Sequence, residues 1–310
     1  MDSDIYEVIT FSNLKDKTEE YQKFYINEDL SISEKVTYIL KKGYDSQRSH
    51  LLSNINLYKE DEQAVQVIIN EIDDNLETYN QFEAELLVNS VSNIFASKKV
   101  GHFEKHYKKL ILRLYKSLVS EKNIAESILL KFFKHIFDYF EEKQKFIVIS
   151  KEFCQTIIDL GNFGQNANNR RLSVFFCRKL IPINDKSNNE ELISRLVRLK
   201  NDADPNVRLE ISKSFNLLYK HSKSESSITN NYFNKEILPI VKHYIEKEEK
   251  LYVLYFSIKL GLKIPELESI CIERLENLTK DEISISNENN SNKDVVDLNS
   301  TEISYKYQLK

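Results

Sequence analysis

Few side chains in this chain have the types and spacing that metal or catalytic chemistry requires. His102 and His106 stand four positions apart, a spacing that places two imidazoles on one face of an α-helix, as zinc ligands would be. Glu104 is displaced from the position of the general base in the metalloprotease motif, and Lys105 adds a charge that repels a cation. We therefore interpret the pair as part of a solvated helix face and predict no metal site.

The sequence contains no other catalytic signature. Phosphate-binding loops, the dinucleotide-binding glycine motif and the nucleophile elbow of hydrolases are all absent. The three cysteines are far apart, and Cys177 in SVFFCRKL is best explained as a small buried hydrophobic residue. An enzyme would need histidines or carboxylates that converge only after folding. We expect a non-enzymatic protein without catalytic residues, cofactor or small-molecule substrate.

The composition predicts that the structural elements are helices. Only 5 glycines and 4 prolines occur in 310 residues, too few for the turns of a sandwich or a barrel. Apolar residues recur at helical spacing, for example at Phe132, Ile136 and Phe140. Apolar residues make up 41% of the chain, which is enough to build a core. The predicted fold class is all-α.

Charge and the amino terminus restrict partners and location. The formal net charge is −4, whereas generic nucleic-acid binders carry a basic excess. The start MDSDIYEVITF lacks the features of a secretory signal, and no apolar run reaches the ~18 residues of a membrane span. A small, odd number of cysteines is typical of a reducing compartment. We expect a cytoplasmic and/or nuclear protein with no specific nucleic acid and no membrane span.

Several residues mark the expected helix ends. Ser31 with Glu34, and Ser187 with Glu190, have the serine–glutamate spacing of a capping box. Glycines that stand where apolar stripes stop are expected to end helices. These glycines are Gly43, Gly101, Gly161, Gly164 and Gly261.

The most informative string is LVRLKNDADPNVRLEISKSFNLL. Asp204 has the position of a helix cap, and Pro205 suits the first helical position because its missing N–H would be unpaired there. Val207 begins a new apolar face that continues through Ile211 and Phe215. The string predicts two helices joined by a short capped turn.

This pattern recurs along the chain. Arg208 is followed by apolar residues three and seven positions later, and so is Arg48 in DSQRSHLLSNINLY. Further pattern starts are Ala84, Glu121, Arg171 and Leu254. Their spacings of roughly 36–50 residues bracket the ~40–47 typical of HEAT and armadillo units. We predict an α-solenoid of about six helical hairpins over residues 1–278, the alternative being an irregular helical domain.

The carboxyl-terminal segment differs in composition. From Thr279 onward serine, asparagine and acidic residues dominate, and no helical stripe of apolar residues remains. We predict a disordered polar tail over residues 279–310. A docking or phosphorylation role is the functional alternative.

The capped turn resembles the signature of a known repeat. Asp202, Pro205, Val207 and Arg208 match the HEAT consensus, in which the acid and the arginine form a ladder along stacked turns. NDADPNVRLEISKSF is similar to repeats of the scaffold subunit of type 2A protein phosphatases and of protein phosphatase 4 regulatory subunit 1. The resemblance covers residues 192–262 and implies a fold of stacked helix pairs.

The acid of this signature is not repeated elsewhere. Lys42 stands six positions before Arg48, and Gln165 stands six positions before Arg171. We therefore expect the acid–arginine ladder not to continue through these repeats.

One stretch of the chain is strongly basic. It holds a single acid, Glu104, and charge of one sign at helical spacing can steer an acidic partner. The alternative is a solvated outer face. The cations are Lys98, Lys99, Lys105, Lys108, Lys109, Arg113 and Lys116.

The resemblance implies a non-catalytic regulatory or scaffold subunit. Its protein partner would be the catalytic subunit of a type 2A-like serine/threonine phosphatase, bound along the turns of the helix pairs. The expected contact residues are Lys200, Asp204 and Asn206, although capping also explains Asp204. The alternative function is a HEAT- or armadillo-type adaptor for transport or trafficking, which binds cargo peptides or a small GTPase.

Overall fold

Every regular element in the described part of the chain is a helix, which confirms the predicted all-α class. The chain divides into two compact units, unit 1 with Met1–Phe146 and unit 2 with Ile147–Lys310. No helix among the described residues is long and apolar enough to cross a bilayer. The computed structural model describes residues 26, 28–121, 124–145, 150–183, 189–224 and 233–289.

The described part of unit 1 contains three helix pairs. Its α-helices are α1 Ile32–Lys42, α2 Asp45–Ser53, α3 Glu62–Asn75, α4 Gln81–Ala96, α5 Tyr107–Lys116 and α6 Glu126–Glu142. Between them lie the 3-10 segments Ile55–Tyr58, Leu76–Thr78 and Gly101–His106 and the π-helical turn Ser117–Glu121.

The helices of unit 1 form two layers. The first helices of successive pairs contact each other, α1 with α3 and α3 with α5, and the second helices do the same, α2 with α4 and α4 with α6. The apolar faces meet between the layers, where Val65, Val88 and Phe132 are fully buried. Phe95 and Phe132 of neighbouring second helices pack edge to face, with ring centroids 6.2 Å apart. Burial of each such side chain contributes about 1.5–3 kcal/mol.

The residues of unit 2 that the structure describes form three helix pairs and one further helix. Its α-helices are α7 Lys151–Leu160, α8 Ala167–Leu180, α9 Asn189–Arg198, α10 Pro205–Ser224, α11 Leu238–Lys247, α12 Leu251–Gly261 and α13 Glu268–Asn289. The shorter elements are the 3-10 segments Leu199–Asn201 and Pro265–Leu267 and the π-helical turn Phe233–Ile237.

The helices of unit 2 follow the same order of contact. The second helices α8, α10 and α12 pack in sequence, and first helices meet at α7 with α9 and at α11 with α13. Val207 and Ile211, predicted to share the apolar face of α10, are fully buried. The second helices of each unit and the first helices of unit 1 therefore stack in chain order, which is compatible with an α-solenoid.

The repeat starts identified in the sequence fall on corresponding elements. Arg48, Ala84, Arg171 and Leu254, like Arg208, lie in the second helix of a pair. Glu121 differs, because it ends the π-helical turn before α6. The sequence pattern therefore identified the second helices, whose buried faces carry the repeated apolar spacing.

The structure confirms one of the two predicted capping boxes. Ser31 and Glu34 form a reciprocal capping box at the start of α1, whereas Ser187 lies outside the described residues. The last helix, α13, continues to Asn289, past the predicted start of the tail at Thr279. Residues 290–310 lie outside the described residues.

The glycines act mainly through close packing. Gly43 and Gly161 occupy the carboxyl-terminal caps of α1 and α7 with negative φ, so the left-handed cap conformation is absent there. Gly101 begins a 3-10 segment instead of ending a helix, and its φ of +55° is accessible at low cost to glycine. At Gly261 an added Cβ would lie 2.4 Å from Cys271 Sγ, so glycine allows α12 to approach α13.

Candidate docking surface at the helix-pair turns

The turn between α9 and α10 is held by the two aspartates of the DADP string. Asp204 Oδ1 accepts a hydrogen bond of 2.7 Å from the backbone N–H of Asn206, at the second position of α10. Asp202 Oδ1 accepts a hydrogen bond of 2.9 Å from the backbone N–H of Asp204. Pro205 starts the helix, where its missing N–H leaves no donor unpaired. The helix cap is the one the sequence predicts.

Arg208 connects this turn to the next one. Its Nε and Nη2 donate to both carboxylate oxygens of Glu248, at 2.7 and 2.9 Å. Its Nη1 donates to the backbone carbonyls of Asp202 and Ala203, at 2.8 and 3.1 Å. One guanidinium therefore closes its own turn and also binds the carboxylate of the following turn, through the bidentate geometry that arginine favours.

Arg170 makes the same set of contacts one pair earlier. Its Nε and Nη2 donate to the two carboxylate oxygens of Asp202, at 2.6 and 2.8 Å. Its Nη1 donates to the carbonyl of Gln165, at 2.5 Å. Asp202 is thus the acid for the preceding arginine, and Arg208 takes its acid from the turn that follows.

Arg48 shows a related arrangement in unit 1. Its Nε donates to Glu83 at 3.0 Å, and its Nη1 donates to the carbonyl of Gly43 at 2.5 Å. Its Nη2 also binds Asp45. We call Arg48, Arg170 and Arg208 the ladder arginines, because each one joins its own turn to the acid of the next pair.

These contacts correct two expectations. Arg170, not Arg171, occupies the ladder position, and Arg171 donates to the side chain of Asn168 at 2.8 Å. The ladder also continues at Arg48 and at Arg170 without an acid six positions before the arginine. The paired acid comes instead from 32 to 40 residues downstream, which a local motif cannot reveal.

Asp202 and Glu248, the acids bound by Arg170 and Arg208, remain ionised although they are buried. Burial acts to raise the pKa of Asp202, but hydrogen bonds from Arg170 and from the Asp204 N–H outweigh it and leave this pKa below the usual aspartate value. Burial also opposes ionisation of Glu248, and the hydrogen bonds from Arg208 and from the Lys250 N–H outweigh it, so the pKa of Glu248 is lowered.

A cleft of about 360 Å³ opens beside the Arg208–Glu248 pair, between the turn after α9 and the turn after α11. The hydroxyl of Tyr244 at its wall donates to the backbone carbonyl of Lys200. Of the three predicted contact residues, Lys200 lines this cleft, whereas Asp204 and Asn206 do not. The other charged or titratable residues around the opening are His243, Lys247, Glu249 and Lys250.

Exposed aromatic side chains also occur at turns within the pairs. Tyr44 precedes α2, Phe82 lies in the first turn of α4, and Phe163 lies between α7 and α8; their exposed fractions are 44%, 64% and 65%. Tyrosine and phenylalanine are enriched where proteins bind each other. These residues lie outside every motif identified in the sequence, although the position of Phe163 between Gly161 and Gly164 marks a turn.

The predicted basic patch is divided by ion pairs. Lys105 binds Glu62 at 2.8 Å, and Lys109 binds Asp73 at 3.1 Å. Lys98 pairs with Glu142, and the buried Arg113 pairs with Glu77. These acids lie on other elements of unit 1, so four of the seven cations have carboxylate partners among the residues that the structure describes. The remaining lysines are Lys99, Lys108 and Lys116, all exposed.

His102 and His106 lie together in a 3-10 segment, and the three cysteines are buried. In a 3-10 segment residues three apart share a face, so the α-helical geometry expected of the two histidines does not apply. Among the described residues no group of His, Cys, Asp and Glu has an arrangement that could hold a metal ion. Burial raises the pKa of the Cys177 thiol to about 12 and that of Cys271 to about 11, so both stay protonated at neutral pH.

Comparisons with models of protein families, with curated proteins and with solved structures find no match to this chain. Its function is therefore inferred from the turns, the ladder arginines and the cleft.

Proposed function

We propose that this chain is a non-catalytic regulatory or scaffold subunit that binds a type 2A-like serine/threonine phosphatase along the turns of its helix pairs. The proposal combines the resemblance of the DADPNVR string to phosphatase scaffold repeats with a HEAT-like α-solenoid architecture. Such a protein acts in the cytoplasm, the nucleus or both, and needs neither cofactor nor substrate pocket.

The observation that carries this proposal is the ladder in unit 2. Arg170 joins the turn before α8 to Asp202, and Arg208 joins the turn after α9 to Glu248. Bidentate ion pairs fix the relative positions of three successive turns. The scaffold therefore loses little conformational entropy when a partner contacts all three turns. Phe163, exposed on the first of these turns, supplies an apolar anchor.

A binding measurement with a purified phosphatase catalytic subunit tests this proposal. The variant Phe163→Ser with Lys200→Glu changes two turns of unit 2 without touching the buried ladder. We expect its affinity to fall by about tenfold or more, the typical effect of losing one anchor residue. The matched control is Leu262→Ser with Lys263→Glu. These two residues follow α12, the second helix of a pair, so they lie on a turn after a pair and not on a turn within one.

The result is read from both variants together. Weaker binding of the turn variant with unchanged binding of the control supports docking at the turns. Absence of any binding by the unmodified chain contradicts the phosphatase proposal. Affinity purification from the source cell that returns a small GTPase or cargo proteins, and no phosphatase, would favour the adaptor function instead.

A further inference from the structure

We propose that the cleft beside the Arg208–Glu248 pair binds an extended acidic segment of the protein partner, one rich in aspartate and glutamate. This inference rests on the proposed function, because it describes which part of a partner the turn surface of unit 2 recognises. It is carried by the distribution of paired and unpaired charges around the cleft.

The carboxylates in the cleft floor already have partners. Asp202 is fully buried and binds Arg170 through both oxygens, and Glu248 binds Arg208 through both oxygens. Each buried acid is therefore neutralised by a guanidinium, and neither repels an incoming anion as a bare carboxylate would. The charge available to a ligand is that of the cleft rim.

The rim carries an excess of positive charge. In the described part of the chain, the ammonium groups of Lys200, Lys247 and Lys250 form no ion pair, and Glu249 is the one acid at the cleft without an arginine partner. Lys247 and Lys250 are exposed, as is His243 beside them. Several lysines around one opening attract anionic groups and increase their rate of association.

The type of cation indicates the type of anion. Arginine binds phosphate in a bidentate fork, but the guanidinium groups of Arg170 and Arg208 are already used by Asp202 and Glu248. Lysine ammonium groups are point charges with free donors and impose little geometry. The rim therefore suits several carboxylates spread along a chain better than one phosphate group.

The positions of the lysines indicate an extended ligand. Lys200 lies in the turn after α9, whereas Lys247 and Lys250 flank the turn after α11. Packed helix layers are separated by roughly 8–10 Å, and an extended chain advances about 3.3 Å per residue. In the extended polyproline II conformation, residues three positions apart lie on the same side and about 9 Å apart, so acidic residues at this spacing would place one carboxylate near each turn.

The test measures binding of a fluorescein-labelled peptide, with glutamates at every third position, to the full chain by anisotropy. The rim variant Lys200→Gln with Lys247→Gln and Lys250→Gln should bind at least about tenfold more weakly and with a smaller dependence on salt. The control variant neutralises three exposed lysines of unit 1, Lys99, Lys108 and Lys116. It should bind the peptide as the unmodified chain does.

The two variants and two other ligands, a phosphopeptide and lipid vesicles, distinguish the proposed acidic peptide site from the alternatives. Equal loss of binding in the rim and control variants overturns the cleft as the site. If a peptide with a single phosphoserine, or phosphatidylserine vesicles, bind more tightly than the glutamate peptide, the assignment of an acidic peptide segment is wrong. Because the rim lysines are at the surface, an unchanged thermal midpoint shows that the rim variant is folded.

The phosphatase measurement distinguishes this inference from the proposed function. If the catalytic subunit binds the unmodified chain and the rim variant equally, its acidic segment does not use the cleft, and the inference is wrong while the proposed function stands. If the unmodified chain binds the acidic peptide but no catalytic subunit, the phosphatase proposal fails. Loss of both interactions in the rim variant alone supports the two proposals together.

Discussion

At the scale of single residues, the ladder arginines explain why the turns have their structure. The side chain of Asp202 is 0% exposed and that of Arg170 is 13% exposed, so this pair is largely removed from water. A buried carboxylate needs a close counter-charge, because its desolvation otherwise costs several kcal/mol. The contacts of Arg170 with Gln165 and Asp202 thus define a turn and hold it against the next one.

The ladder position can be tested with two adjacent arginines. Arg170→Met leaves Asp202 buried without its cation, and we expect the free energy of unfolding to fall by roughly 3 kcal/mol or more. Arg171→Met removes the hydrogen bond with Asn168 and should cost less than about 1 kcal/mol. Chemical denaturation of both variants gives the comparison. Equal losses would contradict the assignment of Arg170 to the ladder.

At the scale of elements, the close approach of helices depends on glycines with different surroundings. An added Cβ at Gly261 would lie 2.4 Å from Cys271 Sγ and 2.7 Å from Ile245 Cδ1. At Gly164, in the turn between α7 and α8, nothing lies within 4 Å of an added Cβ. Both glycines stand near helix ends in the sequence, but their packing differs.

These two glycines form a matched pair for substitution. Gly261→Ala should lower the free energy of unfolding by about 1–3 kcal/mol, because α12 must shift away from α11 and α13. Gly164→Ala should be neutral or stabilise by up to about 1 kcal/mol, since it restricts the unfolded chain without a steric conflict. The measurement is the midpoint and slope of denaturant unfolding. A larger cost at Gly164 would show that the close contacts at Gly261 do not limit packing.

At the scale of the whole molecule, the buried acids Asp202 and Glu248 make stability depend on pH. The folded-state pKa values of Asp202 and Glu248 lie below their ordinary values. A lowered folded-state pKa means that the unfolded chain binds more protons in acid, so stability falls as pH decreases. This contribution is complete above the unfolded values of about 4 and is lost as pH falls through the folded-state values.

The expected result is a loss of unfolding free energy of the chain between neutral pH and about pH 3. The variant Asp202→Asn with Glu248→Gln should be less stable at pH 7, and its stability should decrease less steeply below about pH 4.5. Urea unfolding at a series of pH values measures both slopes. Parallel curves for the variant and the unmodified chain would exclude these two acids as a source of the pH dependence.

Much of the fold was accessible from the chain alone. The scarcity of glycine and proline and the helical spacing of apolar residues predict an all-α fold, because these properties act within one turn of helix. The Ser31 capping box and the Asp204 cap are likewise local, since cap and first turn are adjacent in sequence. The repeat spacing also located most second helices, whose buried faces require the same pattern each time.

Only the tertiary structure decided which charges meet. Arg170 and Arg171 are adjacent arginines that the sequence does not distinguish. The orientation of α8 relative to the next helix pair places Arg170, and not Arg171, against Asp202. The cations of the basic stretch have no acidic neighbours in the sequence, because the acids that they bind, such as Glu62 and Asp73, are far away in the chain. Local sequence determines where helices begin, end and bury their faces; contacts between side chains tens of residues apart exist only once the layers are stacked.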